Sequence, residues 1–160
     1  MYYIFVENEK LNGAGECPCD NEEIQNIEVE QSVYERYIED IDRYIWNGSA
    51  IIENPDYEEV KATQREQKFK TEFFQTSLGW VRRTVTMADG TTKDFLSDLL
   101  PSISMALSFG QVPTIIAYNE PDYSEDVEDW TQYQHVESVN AQFVQECFLV
   151  LSNDFKPKEA

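Results

Sequence analysis

Few residues of this chain have the types and spacing that catalysis requires. The single histidine, His135, lies in a predicted edge strand, and no recognisable nucleophile motif accompanies it in the sequence. A general base must reach the proton that it removes, so we interpret His135 as a surface or partly buried residue. No serine stands in a G-x-S-x-G frame, and no glycine-rich loop could hold a phosphate. We therefore predict a protein that is not an enzyme and needs no cofactor.

The cysteines and the acidic residues give no recognisable metal-binding pattern. Cys17 and Cys19 are too close together for a zinc knuckle, and no second pair completes four ligands. Cys147 lies on an apolar helical face and is predicted to be a core thiol. The acidic segment 119–131 lacks the spacing and the central glycine of an EF-hand. A metal at Cys17 and Cys19, a structural cation in the acidic segment, and a hydrolase that uses this segment stay as alternatives.

Four residues are the best candidates for binding a protein partner: Arg82, Arg83, Tyr123 and Trp130. Neighbouring residues of a strand point to opposite faces, so Arg82 and Arg83 should diverge. We expect one of them to lie over the core and to pair with an acid such as Asp94 or Asp98. The other reading is a partner-binding anchor, because arginine is enriched at interface hot spots. Trp130 and Tyr123 lie among acidic residues, where an aromatic side chain suits a protein contact.

The charge of the chain limits its partners. It has 31 acidic against 12 basic residues, a net charge of −19, and the acids are concentrated outside residues 61–100. Proteins bind phosphate backbones through lysine and arginine, so we expect no direct nucleic-acid binding. The opposite reading is an anti-defence inhibitor that mimics nucleic acid and blocks a host nuclease. No apolar run is long enough to cross a membrane, and the N-terminus is predicted to be a strand, so we expect no membrane contact and a soluble intracellular protein.

The helices and strands that we predict around these residues indicate an α+β protein. Residues 1–54 are predicted to form a β-rich module with one helix, residues 55–78 a linking helix, and residues 79–160 an α+β module. In the first module we expect a strand at 2–6 ended by the segment 12–15, a second extended stretch at 24–29, a helix at 33–43 capped by Ser32, and a hairpin at 44–52 turning at Asn47 and Gly48.

The linking helix should run from about Tyr57 to Thr76 and stop at Gly79. In the last module we expect a strand at 80–87, a turn at 88–90 and a helix capped by Asp94, which Pro101 either kinks or ends by starting another helix. A strand at 112–118 and an edge strand at 132–139 should follow. The module should end with a helix from Ala141 to about Phe155, capped by Asn140. Its inward side chains should be Phe143, Val144, Cys147, Phe148 and Leu151.

The order of these strands and helices along the chain is similar to that of a known group of proteins. The opening YYIF strand, the IWNGSAII hairpin and the NPDYEE entry into a polar helix resemble small phage and prophage proteins of the tail-fibre assembly type. The stretches SLGWVRRTVTM, TTKDFLSDLLP and AQFVQECF are similar to mostly uncharacterised proteins of phages and prophages. The resemblance implies an assembly chaperone or minor virion component that binds a tail-fibre or baseplate protein in the host bacterial cytoplasm, and it implies no catalytic residue. A homo-oligomer is also open.

Overall fold

The structure is a computed structural model that describes residues 1–154 of the 160. It is 38% helical and 31% strand, with several small antiparallel sheets, which confirms the predicted α+β class. The chain divides into two compact units, Met1–Lys61 and Ala62–Ala160. Among the described residues, no helix has both the length and the apolar character to span a membrane.

A three-stranded antiparallel sheet forms the centre of the first unit. It consists of β1 (Tyr2–Glu7), β2 (Lys10–Gly15) and β3 (Gln25–Val29) in the order β2-β1-β3. The prediction that residues 12–15 end the first strand is wrong, since they belong to β2. The turn lies at Asn8 and Glu9, which take φ values of 51° and 61°, the left-handed backbone that a tight two-residue hairpin needs. Gly15 instead gives room to the Phe5 ring, which a Cβ would approach to 3.2 Å.

One helix and one hairpin complete this unit. They are α1 (Gln31–Glu39), a 3-10 turn (Ile41–Arg43), β4 (Tyr44–Trp46) and β5 (Ile51–Glu53). The predicted hairpin is confirmed, but its two-residue turn is wrong: the loop has four residues, and its backbone N–H groups at Ser49 and Ala50 donate to the Asn47 side chain. The predicted Ser32 cap is also wrong, because the helix begins after Glu30. Ile4, Tyr37 and Tyr44 form the core.

The predicted linking helix at 55–78 is too long. α2 (Tyr57–Glu72) ends where Phe73 begins strand β6 (Phe73–Thr76), which pairs with β7 (Gly79–Arg82). The division between the two units therefore falls inside α2. Gly79 is not a helix stop but the first residue of β7, directly after the turn at residues 77–78, with φ of 127°. Two buried phenylalanines, Phe73 and Phe74, favour a pleated strand because their alternation places one on each face of the sheet.

The second unit contains a four-stranded antiparallel sheet in the order β11-β10-β7-β6. Its remaining strands are β10 (Thr114–Tyr118) and β11 (Gln134–Ser138), and β11 is the predicted edge strand. The strand predicted at 80–87 is interrupted at Arg83, and its second half, β8 (Thr84–Thr86), pairs with β9 (Thr92–Asp94) as a separate ribbon.

Helices cover one face of this sheet. Asp94 caps a π-helical segment (Phe95–Leu99) by accepting a hydrogen bond from the backbone N–H of Ser97. Pro101 stands in the first turn of α3 (Leu100–Ser108), which follows the π-helical segment without a break, so it lies where the helix type changes. The Asn140 cap of α4 (Ala141–Asp154) is confirmed by its 2.8 Å bond from Phe143 N. Phe148 is 45% exposed, contrary to prediction. The predicted end at Phe155 lies outside the described residues.

Candidate functional site

The second face of the four-stranded sheet bears an aromatic cluster. Side-chain alternation sends Phe74, Val81 and Ala117 to the helix-covered core and their strand neighbours to the opposite face. There, rings from α2, β6, β7, β10 and the segment after β10 meet. The aromatic cluster consists of Phe69, Phe73, Trp80, Tyr118, Tyr123, Trp130 and Tyr133.

Arg82 lies within this cluster. Its guanidinium carbon is 4.7 Å from the centroid of Phe73 and 5.1 Å from those of Tyr118 and Trp130. Its Nε donates to the Tyr118 hydroxyl at 3.3 Å. Arginine stacks on aromatic faces because the ring quadrupole attracts the cation and the guanidinium is weakly hydrated. The three rings therefore fix the side chain in one orientation.

The terminal nitrogens of Arg82 have no carboxylate partner among the described residues. Across residues 1–154, no carboxylate oxygen lies within 4.0 Å of its guanidinium. By contrast, Arg36 pairs with Glu53, and Arg65 with Asp126. The only buried side-chain nitrogen or oxygen without a hydrogen-bond partner in the described chain is Nε of Arg43, so the free donors of Arg82 are not sealed in the interior. They are positioned to bind an anion from outside.

The structure brings together three of the four predicted binding residues. Trp130 stacks over Phe69 at 5.8 Å, and Tyr123 meets the same ring edge-on at 6.1 Å. The Tyr123 hydroxyl donates to Glu120, and burial together with that bond raises the pKa of Tyr123. Trp130 is only partly exposed, although acidic residues surround it in the sequence.

Arg83 is the fourth, and it lies on the other face. Its guanidinium is 5.8 Å from the centroid of Phe74 and 3.0 Å from Asp154 of α4. The prediction of a carboxylate partner is right for this arginine, but Asp94 and Asp98 are the wrong acids. They are used locally, since Asp98 accepts from the backbone of Asp94 at the start of the helical segment.

The acidic segment packs against α2. Arg65 donates to the backbone carbonyls of Tyr123 and Ser124 and pairs with Asp126 at 3.0 Å. Hydrogen bonds from Ser124 lower the pKa of Asp122, and those from Thr131 lower the pKa of Asp129. Within residues 1–154, no three histidine, cysteine or acidic side chains are grouped so that they could hold a metal ion.

A second feature adjoins Arg82. We call it the strand cleft: a cavity of about 470 Å³ between β8 and β10. Arg82 and Tyr118 stand at one end, and Phe95, Leu99 and Ile103 of the helical layer form its apolar floor. The full lining is Val81, Arg82, Thr84, Val85, Thr86, Phe95, Leu99, Ile103, Thr114, Ile115, Ile116 and Tyr118.

His135 and the cysteines each have their own local surroundings. His135 Nδ1 is 2.9 Å from Glu137, and its ring packs against Gly79. Cys147 is fully buried, and burial raises the pKa of its thiol to about 12, with a smaller effect from Glu146. Cys17 is exposed and Cys19 is half-buried, and both are free thiols.

Sequence reasoning missed most of the site. Phe69 and Phe73 are close together in the sequence, but the rings from the later strands are too distant in sequence to associate with them. The threonines that line the cleft could not be identified from the sequence, because a residue type does not show where its backbone N–H and C=O point. No protein-family model matches this chain, and no curated protein or solved structure shows significant similarity to it.

Proposed function

We propose that this chain is a non-enzymatic, tail-fibre-associated phage protein that acts by binding another protein. It works as an assembly chaperone or a minor virion component, in the host bacterial cytoplasm during assembly. The resemblance of its strands, hairpin and helices to small phage proteins supports the tail-fibre assignment. One observation of the structure supports protein binding: Arg82 is held among three aromatic rings without a carboxylate from residues 1–154.

The chemistry of this site favours recognition over catalysis. A guanidinium has five N–H donors and no acceptor, so Arg82 is suited to donating hydrogen bonds to an anionic group of a partner. Arginine and tryptophan are enriched at interface hot spots, where aromatic surface and desolvated donors occur together. An arginine already ordered by stacking loses little further entropy on binding.

The test is complex formation between the purified chain and the purified fibre and baseplate proteins of its phage. We expect one of them to coelute with the chain in size-exclusion chromatography. Arg82→Ala should weaken this complex at least about tenfold, since a hydrogen bond to a charged group contributes about 1.5–3 kcal/mol. Arg36→Ala, which removes an exposed arginine paired with Glu53, is the matched control.

Mass spectrometry of purified particles separates the two roles. Presence of the chain in particles identifies a virion component, and its absence identifies a chaperone. The proposal is wrong if no fibre or baseplate protein binds at micromolar concentrations.

The acidic segment supports a second candidate, a mimic of nucleic acid that inhibits a host nuclease. Asp126 is 82% exposed, and the lowered pKa values of Asp122 and Asp129 keep those carboxylates ionised. Such an inhibitor should bind a basic nuclease and compete with DNA, most strongly at low salt. Competition with DNA, combined with no binding to fibre or baseplate proteins, would replace the tail-fibre proposal with this one.

A further inference from the structure

We propose that the strand cleft holds an extended segment of the partner protein, which adds as a strand between β8 and β10 and places a carboxylate on Arg82. The inference rests on the proposed protein-binding function and specifies its mode. Three observations carry it: the backbone groups along the two sides of the cleft, its apolar floor, and the charge of Arg82.

The side of the cleft formed by β8 has free backbone groups. Arg83 and Met87 each make a 2.7 Å backbone hydrogen bond across the β8–β9 ribbon. In an antiparallel pair, every second residue turns its N–H and C=O toward the partner strand. Thr84 and Thr86 therefore turn theirs away from β9, toward β10.

The side formed by β10 has the same property. Pro113 and Asn119, which flank β10, make 2.9 Å backbone hydrogen bonds to the chain on either side of β11. By the same alternation, Thr114 and Ile116 turn their N–H and C=O away from β11 and toward β8.

These two edges face each other without pairing. Tyr118 and Trp80 are the only pair that joins β10 to β7 in the described chain, and it is antiparallel. Continued in register, Val81 would face Ala117 and then Arg82 would face Ile116, but the pairing stops at Trp80 and the cleft opens instead. Unpaired edges are the sites at which extended peptides add to sheets.

The surroundings of the cleft define the chemistry of the segment. Its inner side chains would meet Phe95, Leu99 and Ile103, so they should be apolar. Its outer side chains would lie beside Arg82, whose free nitrogens match a carboxylate. Because successive strand residues alternate between faces, the fitting pattern is apolar, acidic, apolar. Since β7 and β10 are antiparallel, the added strand runs parallel to one neighbour and antiparallel to the other.

A synthetic peptide tests this mode. The probe is a labelled peptide of about nine residues in which valine and threonine alternate and one central threonine is replaced by glutamate. We expect saturable binding to the full chain, and about tenfold weaker binding when glutamine replaces the glutamate. For Arg82→Ala the two peptides should bind equally, because the loss is specific to the pair. N-methylation of alternate peptide bonds should abolish binding.

Two proline variants test the edge without touching Arg82. Thr86 and Thr92 face each other in the β8–β9 ribbon, and neither N–H takes part in the hydrogen bonds between these strands. Thr86→Pro removes an N–H that faces the cleft, while Thr92→Pro removes one that faces outward. Both should cost similar stability. Only Thr86→Pro should weaken peptide binding.

The outcomes are distinct. Amide NMR shifts confined to Thr84, Thr86, Thr114 and Ile116 support the inference. Three results would overturn it. The two proline variants could lose the same peptide affinity, the glutamate and glutamine peptides could bind the wild type equally, or no peptide could bind below about 1 mM. A dimer of the chain alone that Thr86→Pro dissociates would make a second copy the occupant and would also overturn it.

This inference and the proposed function can fail separately. If a fibre or baseplate protein binds Thr86→Pro and Arg82→Ala as tightly as wild type, the function stands and the cleft is not its site. If the peptide binds in the cleft but no fibre or baseplate protein binds the chain, the mode of binding stands and the tail-fibre assignment fails.

Discussion

Asp40, which follows α1, shows how a single carboxylate can connect two segments of the first unit. Lys61 of α2 lies 2.8 Å from its Oδ2, and the Tyr57 hydroxyl donates to the same oxygen at 2.7 Å. Burial alone would raise the pKa of Asp40, but the hydrogen bonds from Lys61 and Tyr57 outweigh it and hold that pKa below its ordinary value. The ionised form is therefore the one that the folded unit stabilises.

Replacing this carboxylate should make folding less dependent on pH. A carboxylate whose pKa is depressed by folding contributes stability that is present above its unfolded pKa of about 3.9 and is lost as the pH falls through the folded pKa. We expect Asp40→Asn to lower the free energy of unfolding by about 1–2 kcal/mol at pH 7, with the difference shrinking below pH of about 4. Urea titrations over this range measure it. Asp20→Asn, at an exposed acid, is the control, and a constant difference at every pH would contradict the assignment.

At the scale of elements, the β6–β7 hairpin contributes side chains both to the helix-covered core of the second unit and to the aromatic cluster. Gly79 begins β7 and pairs with Thr76, so it helps to set the register that places Phe73 opposite Arg82. Its φ of 127° is a conformation that L side chains rarely adopt. A Cβ there would also lie 3.1 Å from the His135 ring and 3.2 Å from the Cβ of Ala117.

Gly79→Ala should therefore destabilise the protein by about 2 kcal/mol or more, since strain and overlap both act. Gly110→Ala is the matched control, because Gly110 has a positive φ of 81° but no neighbouring atom within 4 Å. It should cost only about 1 kcal/mol. Thermal unfolding of both variants gives the comparison. Equal losses would show that the backbone conformation, and not the contact with β10 and β11, restricts residue 79.

Local signals predicted the elements where local energetics decide them. Asp94 and Asn140 were identified as caps because a side-chain oxygen satisfies backbone N–H groups only a few residues away. The end of α2 was missed because lysine and glutamate favour helix up to Glu72 and no glycine or proline interrupts residues 73–76. The pairing of β6 with β7 is decided instead by burial of Phe73 and Phe74. The Asn8–Glu9 turn was missed because glutamate rarely takes a positive φ.

The candidate site was predictable only in its separate parts. Arg82, Tyr123 and Trp130 were identified by residue type and sequence context, and their meeting depends on strand order. Which of two adjacent arginines faces the aromatic cluster depends on the register of β6 against β7. The cleft arises from a missing pairing between β8 and β10, and a sequence pattern contains no record of a pairing that does not form.

At the scale of the whole molecule, Arg82 stands out because the chain has such a large excess of acidic residues. The chain has 31 acidic residues, yet none of the described ones approaches the guanidinium within 4.0 Å. The proposed partner would therefore bring its carboxylate to donors that no described carboxylate occupies. A net charge of one sign opposes self-association through general repulsion, so we expect the selectivity of the proposed site to come from shape and hydrogen bonding.

Because the chain divides into two compact units, we expect a cavity made in one core to destabilise mainly the unit that contains it. Ile4 in the core of Met1–Lys61 and Leu100 in the core of the unit that begins at Ala62 are both fully buried. Each described apolar cluster lies within one unit. Ile4→Ala and Leu100→Ala should each cost about 2–5 kcal/mol, and hydrogen exchange should accelerate mainly among the amides of the unit that carries the substitution. Matched acceleration in both units for either variant would mean that they unfold as one cooperative body, and the single-unit assignment of each core would then be wrong.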